Sequence, residues 1–525
     1  MKLLLVNLYP QETLARYLLS SYVLKVYLEK YLLGEEAFSV EVLDLSSKTG
    51  LSEICDAIVC KWPDWVGYSC YIWNIGKIIG TIKVLKERVE CLHILGGPEI
   101  SVNRAAFLSE QGVGDYYVIG EGEKKILNHI KYLMARKRGL RCNFPRGIAY
   151  RSSKGFHYTA NKGVVDLDKL PSVYLSGAIE EGLYERQQAY LETQRGCKNR
   201  CSYCVYHKGL PNIAYYPLER IIEELDHLIL EKQVFSLRIF DAVFTSNLER
   251  AKYIVKYLRD LKGREGLRLP RIYWEFVYNG VDEEFIKLTS SLKYRERICN
   301  SNGIAPLDRP QLYSDLLKDY TVVNCVGVQS FCREALRAVA RAPVSLKKFE
   351  RFMKVVQRYN IVLKLDIILG LPFETFESYI KGLESILPYL RNTDHILNVH
   401  RLQILPGSDL ETSSSSYGIV YSEDAPHYVF STSSMSHSEL MMASKLTAVL
   451  FRIINSPLRG HFFAAKESNG TTLLSMLEKV LGGLTESADL RRARLVQEDF
   501  IDDDYWNDDI YREIPSQWLT EYLTR

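Results

Sequence analysis

Short apolar runs alternate with longer stretches whose apolar positions recur at helical spacing, and this rhythm fills the first third of the chain. Residues 3–7, 40–43, 65–69, 93–95 and 116–119 predict strands, and residues 12–33 and 76–89 predict helices. Strands that alternate with helices imply a parallel, doubly wound sheet. Ligands of such sheets sit beyond the carboxyl ends of the strands. The turns at 69–74, 96–101 and 120–123 all fall there. Residues 151–188 carry little periodicity, include Pro171 and predict a connector.

The alternation resumes near residue 189, with strands predicted at 190–193, 236–240, 272–276, 322–328, 362–369 and 398–404. Six such units fit a partial (β/α) barrel, since a complete one has about eight. The pattern changes after Pro406-Gly407: residues 413–416 predict a loop or helix cap, and 437–455 and 471–483 predict helices. The final segment is acidic between residues 499 and 509, and Tyr505 and Trp506 predict a solvated tail docked by its aromatics. The expected organisation is therefore α/β: a sheet domain over 1–150, a linker over 151–188, a barrel domain over 189–410, and a mainly helical region over 411–525. No internal repeat is visible.

A chain of 525 residues with 47% hydrophobic and 25% charged positions has the composition of a globular protein with several cores. Its net charge of +3 argues against strong general affinity for nucleic acid. The apolar run at the N-terminus ends at Asn7 and Pro10, too short for a signal peptide. No run of 18 apolar residues is free of charge, so no membrane span is expected. Eleven cysteines, an odd number scattered mostly singly through apolar segments, suit free thiols in a reducing, cytoplasmic setting.

Three of those cysteines are not scattered. Arg195-Gly196-Cys197-Lys198-Asn199-Arg200-Cys201-Ser202-Tyr203-Cys204 follows a predicted strand directly. Three thiolates at this spacing can wrap a compact metal site, and soft thiolates select iron–sulfur clusters or zinc. One reading is a zinc knuckle with His207 as fourth ligand. The other is a [4Fe–4S] cluster, for which three cysteines leave one iron open to a small molecule. A loop at the end of the first barrel strand favours the second, because barrel active sites lie at that face.

Cys-x3-Cys-x2-Cys with an aromatic before the last cysteine resembles the signature of the radical SAM family. The resemblance implies that Cys197, Cys201 and Cys204 ligate a [4Fe–4S] cluster. It further implies that the open iron chelates S-adenosylmethionine (SAM), which is cleaved to a 5′-deoxyadenosyl radical, with Tyr203 near the adenine. Later segments resemble the family in the same order. Phe240-Asp241 stands where the family contacts the SAM amino group. Gly327-Val328-Gln329-Ser330 resembles a strand end near the ribose and methionine, and Arg341 an arginine that meets the carboxylate. Asp366 opens a stretch ending in Gly370-Leu371-Pro372, close to the adenine, and Leu405-Pro406-Gly407-Ser408 resembles the closing element.

A doubly wound domain ahead of such a barrel resembles the cobalamin-binding class of that family. The resemblance brings Gly96, Gly97, Pro98 and Glu99, and Gly120, Glu121, Gly122 and Glu123, towards the corrin. The connector 167–171 resembles the linker of that class. Physically, glycines let backbone amides approach a bulky ligand. Asp-x-His-x-x-Gly, which gives cobalt a histidine in many cobalamin domains, is absent, and His93 reads as a core residue. Ser69, Tyr71 and Trp73 are the candidates to line the lower face.

The reading that follows is a cobalamin-dependent radical SAM C-methyltransferase. It would act on a small-molecule or peptide substrate and take electrons from an external flavodoxin- or ferredoxin-like donor. The same cofactors also serve ring closure, ring contraction or rearrangement without methyl transfer. A different class, a zinc-stabilised binding protein without catalysis, predicts colourless, zinc-loaded material. Tyr417, Tyr421, His427 and Tyr428 stand beyond the barrel, where ordinary packing is the plainer expectation than substrate contact.

Overall fold

The computed structural model of the chain describes all residues except 11–14, 33–37, 162, 164, 181, 185–186, 207, 209, 211, 265, 294–321, 456–457 and 487–525. His207 and the acidic tail with Tyr505 and Trp506 therefore lie outside the described residues. The chain forms two compact units. One comprises Met1–Asp241, Ile404–Thr412 and Ser422–His427; the other comprises Ala242–Gln403, Ser413–Tyr421 and the described residues from Tyr428 onward.

The first unit is built on seven strands in the order β2-β1-β3-β4-β5-β6-β7. These are β1 (Lys2–Tyr9), β2 (Ser39–Ser46), β3 (Trp65–Ser69), β4 (Leu92–Gly96), β5 (Tyr116–Val118), β6 (Ile148–Ser152) and β7 (Gly155–Tyr158). Strands β1 to β5 pair in parallel, as expected. Leu3 to Leu8 in β1 are buried without interruption, the pattern of a central strand covered on both faces. Helices α1 (Leu19–Tyr31), α2 (Leu51–Val59), α3 (Ile75–Leu85), α4 (Val102–Glu110) and α5 (Glu123–Lys137) cover the sheet. Ile54, Ile58, Ile78, Ile82, Ala105 and Leu108 from the helices pack on Leu4, Val6, Val66 and Leu95 from the strands.

Two expectations need correction here. The helix expected over 12–33 begins only at Leu19. Tyr17 is fully buried with its hydroxyl 3.1 Å from that of Tyr174, and the Asn7 amide reaches the Leu18 carbonyl at 3.5 Å, so these tertiary bonds hold residues 15–18 out of helical form. The sheet is also not wholly parallel. β6 and β7 add an antiparallel hairpin at its edge, across the expected boundary at residue 150 and into the expected linker.

The first unit also contains β8 (Gln188–Leu191) and β11 (Ser236–Ile239), which pair in parallel. Between them come the small antiparallel pair of β9 (Gln194–Arg195) with β10 (Ala214–Tyr215), then α6 (Leu218–Asp226). Both barrel-type strands thus cluster with the N-terminal sheet. Side chains explain it: the Tyr190 amide meets the Tyr17 hydroxyl at 3.3 Å, and Arg195 pairs with glutamates after β5.

The second unit carries β12 (Arg271–Phe276), β13 (Val322–Gln329), β14 (Leu363–Leu369) and β15 (Ile396–Arg401), parallel and side by side in that order. All six strands expected after residue 188 are thus present, each within a few positions of its expected place. Helices Leu248–Lys262, Glu283–Ser291, Leu346–Arg358 and Phe376–Leu390 connect or flank them. The C-terminal region is mainly helical among the described residues, with His437–Ile454, Arg459–Asn469 and Leu473–Glu486. A two-stranded hairpin of β16 (Val420–Tyr421) and β17 (Val429–Ser431) precedes them.

Candidate functional site

The cysteine loop leaves β9 through Gly196, whose backbone is left-handed at φ +94° and whose α-carbon lies so close that an added Cβ would sit 3.2 Å from the Asn212 carbonyl. Only glycine meets both demands without strain. Cys201 is buried, and Cys197 and Cys204 are half-buried. Burial pushes the Cys204 thiol up to about 11, the charges of Cys201 and Cys197 add to the rise, and backbone amides of Tyr206 and Val205 oppose it. The Tyr206 amide donates to Cys204 Sγ at 3.5 Å. The Ser202 hydroxyl, between two of the cysteines, is buried without a hydrogen-bond partner. Three soft donors on one short loop, with the Tyr206 amide aimed at one sulfur, have the chemistry of iron–sulfur ligands, although their side chains are not drawn together around one point. Among the described residues no three His, Cys, Asp or Glu side chains are gathered into a metal-holding group.

The strand ends on either side brace this loop. Asp241, directly after β11, is buried and accepts hydrogen bonds from the Thr193 amide at 2.7 Å, the Gln194 amide at 3.2 Å and the Thr193 hydroxyl. Burial pushes its carboxyl up to about 7 against the pull of those donors. Asp241 thus closes the turn leading into the cysteine loop, an internal role that its sequence position did not reveal. The Phe240 ring stacks on that of Tyr190 with centres 4.4 Å apart, carries the Arg238 guanidinium 5.8 Å from its centre, and is partly exposed. Tyr203 is half-buried within the loop.

At the carboxyl ends of the N-terminal strands, Ser69 is buried with its hydroxyl 2.9 Å from Ser21 and 3.2 Å from Ser20. Tyr71 donates to Ser20 at 3.1 Å and stacks on Trp73 with ring centres 4.4 Å apart and planes 11° from parallel. Trp73 is 46% exposed, yet its indole N–H is held by the Leu8 carbonyl at 3.4 Å. A flat, tethered aromatic pair at this edge, with Trp73 exposed and Tyr71 half-buried, fits a planar macrocycle such as a corrin. Beneath it lies a buried polar network missed from the sequence: Asn7 bonds Ser21 at 2.5 Å and Asp44 at 2.7 Å, and Asp44 accepts from Tyr22. Burial pushes the Asp44 carboxyl up to about 6.

The two glycine turns differ. Gly97 is at φ +114°, and a Cβ there would fall 2.5 Å from the Cys70 carbonyl, so this turn lies tight against the end of β3. Gly96 is half-buried, Gly97 and Pro98 are exposed, but Glu99 points inward. Its carboxylate meets His427 Nε2 at 2.7 Å, and both residues are buried. In the second turn Gly120 is exposed and Gly122 half-buried, while Glu121 and Glu123 pair with Arg195 at 3.3 and 2.7 Å. All three glutamates assigned to the corrin by resemblance, Glu99, Glu121 and Glu123, thus meet protein partners. His93 is a core residue as expected: it is buried, lies 3.1 Å from the Tyr68 hydroxyl and is pushed down to about 4 by burial.

The remaining candidates belong to the second unit. Gln329 has a left-handed backbone at φ +70° at the end of β13, and Ser330 after it is buried. Ser330 donates to Glu374, a buried carboxyl that burial pushes up to about 8 and whose Oε2 lacks a partner. Sequence reasoning passed over Glu374, although it closes the Gly-Leu-Pro turn. Arg341 donates to the Gly327 carbonyl. Asp366 is nearly buried, which alone would raise its carboxyl, but Lys364, His400 and Asn398 outweigh burial and hold it below its ordinary value. Tyr417 donates to the Ala338 carbonyl at 3.3 Å, and Tyr428 lies buried under Arg401, so both have packing partners. Tyr421 is half-buried in β16.

Family comparisons match residues 24–128 to the B12 binding domain and residues 191–386 to the radical SAM superfamily. The chain is 27% identical over 379 residues to the cobalamin-dependent radical SAM methyltransferase TokK of Streptomyces tokunonensis, covering 69% of this chain and 50% of that protein. It is 26% identical over 374 residues to the 2-(S-pantetheinyl)-carbapenam-3-carboxylate methyltransferase of Streptantibioticus cattleyicolor, covering 68% and 50%. The chain thus spans about half the length of these curated relatives. Its fold is similar to that of TsrM from Kitasatospora setae, solved with cobalamin and a [4Fe–4S] cluster, with TM-score 0.59, 17% identity and coverage of 81% and 78%. It is also similar to that of OxsB, solved with aqua-cobalamin, with TM-score 0.64, 16% identity and coverage of 100% and 80%. The chain thus carries a B12 binding domain followed by a radical SAM domain, on a fold similar to that of TsrM and OxsB.

Proposed function

We propose that the protein is a cobalamin-dependent radical SAM enzyme that methylates an unactivated carbon of a biosynthetic substrate. The observation that carries this reading is the folding of the three-cysteine loop into one compact unit with the seven-stranded sheet. Two curated relatives named as methyltransferases support the reaction class. When bound, the cofactors supply an electron that cleaves SAM to a 5′-deoxyadenosyl radical, and a methyl group for transfer.

The chain's own residues hold and orient. Cys197, Cys201 and Cys204 would hold the cluster as thiolates. The Tyr71–Trp73 pair would lie against the corrin, with the Gly96–Gly97 and Gly120–Gly122 backbones approaching it. Tyr203, Phe240 and Asp241 would receive SAM, Asp241 by fixing the turn before the cysteines, and Gln329, Ser330, Arg341 and Asp366 keep the SAM contacts that their resemblance implies. No described helix is long and apolar enough to cross a membrane. The reading further includes a small-molecule or peptide substrate, an external flavodoxin- or ferredoxin-like donor and a cytoplasmic setting.

The test is anaerobic reconstitution with iron, sulfide, hydroxocobalamin and SAM, followed by mass analysis of products from candidate substrates. Pantetheinylated carbapenam carboxylates are one class to include, given the second relative. A product heavier by one methylene supports methylation. A product of unchanged mass, or lighter by two hydrogens, points to rearrangement or ring closure instead. Colourless protein that retains zinc overturns the cofactor assignment itself.

A further inference from the structure

Arg195 stands two residues before Cys197 and is largely buried. Its guanidinium faces three carboxylates: Glu192 at 2.9 Å, Glu123 at 2.7 Å and Glu121 at 3.3 Å. Glu192 follows β8, whereas Glu121 lies in the turn after β5 and Glu123 opens α5. That turn is itself braced, since Lys125 donates to the Ile119 carbonyl at 2.6 Å and the Val165 amide donates to Glu121 at 3.3 Å. The Glu192 carboxylate also accepts from the Tyr216 hydroxyl at 2.8 Å. Without the guanidinium, three carboxylates would face one another in a poorly solvated place and drive the two loops apart.

We propose that Arg195 is a positioning residue that couples the Gly120–Glu123 turn to the cysteine loop, so that filling one cofactor site tightens the other. The inference rests on the two-cofactor reading above. Its physical basis is that one fork-shaped cation bonds groups from both loops. Gly196, with its left-handed backbone, is the only residue between that cation and Cys197. Ordering either loop on its cofactor therefore reduces the freedom the other must lose. Such coupling is reciprocal.

The experiment is titration of hydroxocobalamin into full-length protein, with and without the reconstituted cluster, followed by corrin absorbance. Cluster-loaded wild type is expected to bind several-fold more tightly than cluster-free protein, within the roughly 5- to 150-fold range of such couplings. Arg195→Gln is expected to bring that ratio to one, and Arg195→Lys to restore it in part. Glu121→Gln leaves Arg195 two carboxylate partners; it is expected to fold normally and to shrink the ratio, so the proposal survives poor folding of Arg195→Gln. A purely structural arginine would weaken both affinities alike and keep the ratio. Wild type that binds hydroxocobalamin equally in both states, or a Glu121→Gln ratio equal to wild type, overturns the coupling alone. Wild type that binds no hydroxocobalamin overturns the two-cofactor reading and the coupling with it.

Discussion

The Glu99–His427 pair makes a sharp prediction about how the first unit is held together. His427→Ala removes the partner of a carboxylate that is 2% exposed and 2.7 Å from the ring nitrogen. A hydrogen bond of this kind adds only about 0.5–1.5 kcal/mol net, because both groups give up water to form it. Breaking it differs, because the remaining polar group stays buried without its partner at a cost of about 1–3 kcal/mol. The residues joined are 328 apart in sequence, and the segment Ser422–His427 belongs to the first unit. The loss therefore falls on local opening of two distant segments. A drop of about 2 kcal/mol corresponds to roughly 30-fold faster amide exchange where opening is the limiting equilibrium. Hydrogen–deuterium exchange by mass spectrometry should show this in peptides covering 96–105 and 422–431, and Glu99→Ala should mirror it. Glu99→Ala/His427→Ala, which leaves neither partner of the bond behind, should exchange far less than the sum of the single effects. Acceleration confined to the peptide that carries the substitution, or additive effects in the double variant, would refute the reasoning.

Three further outcomes are expected. Glu374 has a folded value near 8, above its unfolded range, so its stabilising effect is complete below about pH 4.3 and is lost as pH rises through 8; Glu374→Gln, neutral throughout, should match wild type in urea midpoint near pH 4.5 and exceed it progressively up to pH 8, and a constant difference would refute the shift. Trp73→Ala should weaken hydroxocobalamin binding roughly two- to tenfold, the size of an aromatic stacking contribution of about 0.5–1.5 kcal/mol, with little change in unfolding midpoint; unchanged affinity would remove the aromatic pair from the corrin face. Cys201→Ser should abolish the brown charge-transfer absorbance after anaerobic reconstitution while keeping the far-ultraviolet circular dichroism of wild type, and retained colour would mean that the cluster is held elsewhere.

The fold was legible where burial is carried by local pattern. β1 reads as an apolar run broken only at Asn7 because it is covered on both faces, and β3 was placed to the residue because Trp65–Ser69 is wholly buried between polar turns. The β6–β7 hairpin was not, because only Ile148 and Ala149 of it are buried and its second strand lacks a buried face. The start of α1 was misplaced for another reason. Ala15, Tyr17 and Leu18 continue the apolar-rich pattern of the helix, but Tyr17 and Leu18 take partners at Tyr174 and Asn7, which no window of neighbouring residues contains.

The site divides along the same line. The cysteine loop and the glycine turns announce themselves, since thiols at short spacing and glycines at strand ends are local signals. The charged partners do not, because a glutamate's role depends on what lies across the fold. Glu99, Glu121 and Glu123 sit in turns that suggest a ligand, yet each meets a histidine or arginine from a distant segment. The backbone marks the same places. Gln329, Phe373 and His427 are left-handed without being glycine, at φ +70°, +62° and +59°. Such residues persist only where their surroundings over-determine them. Gln329 and Phe373 flank the buried Ser330–Glu374 bond, and His427 is itself half of a buried pair. At these three positions the buried polar pairs hold the turns in conformations that non-glycine residues rarely adopt, whereas Trp62, Gln233, Ala340, Asn360 and Asn392 are left-handed away from these two pairs.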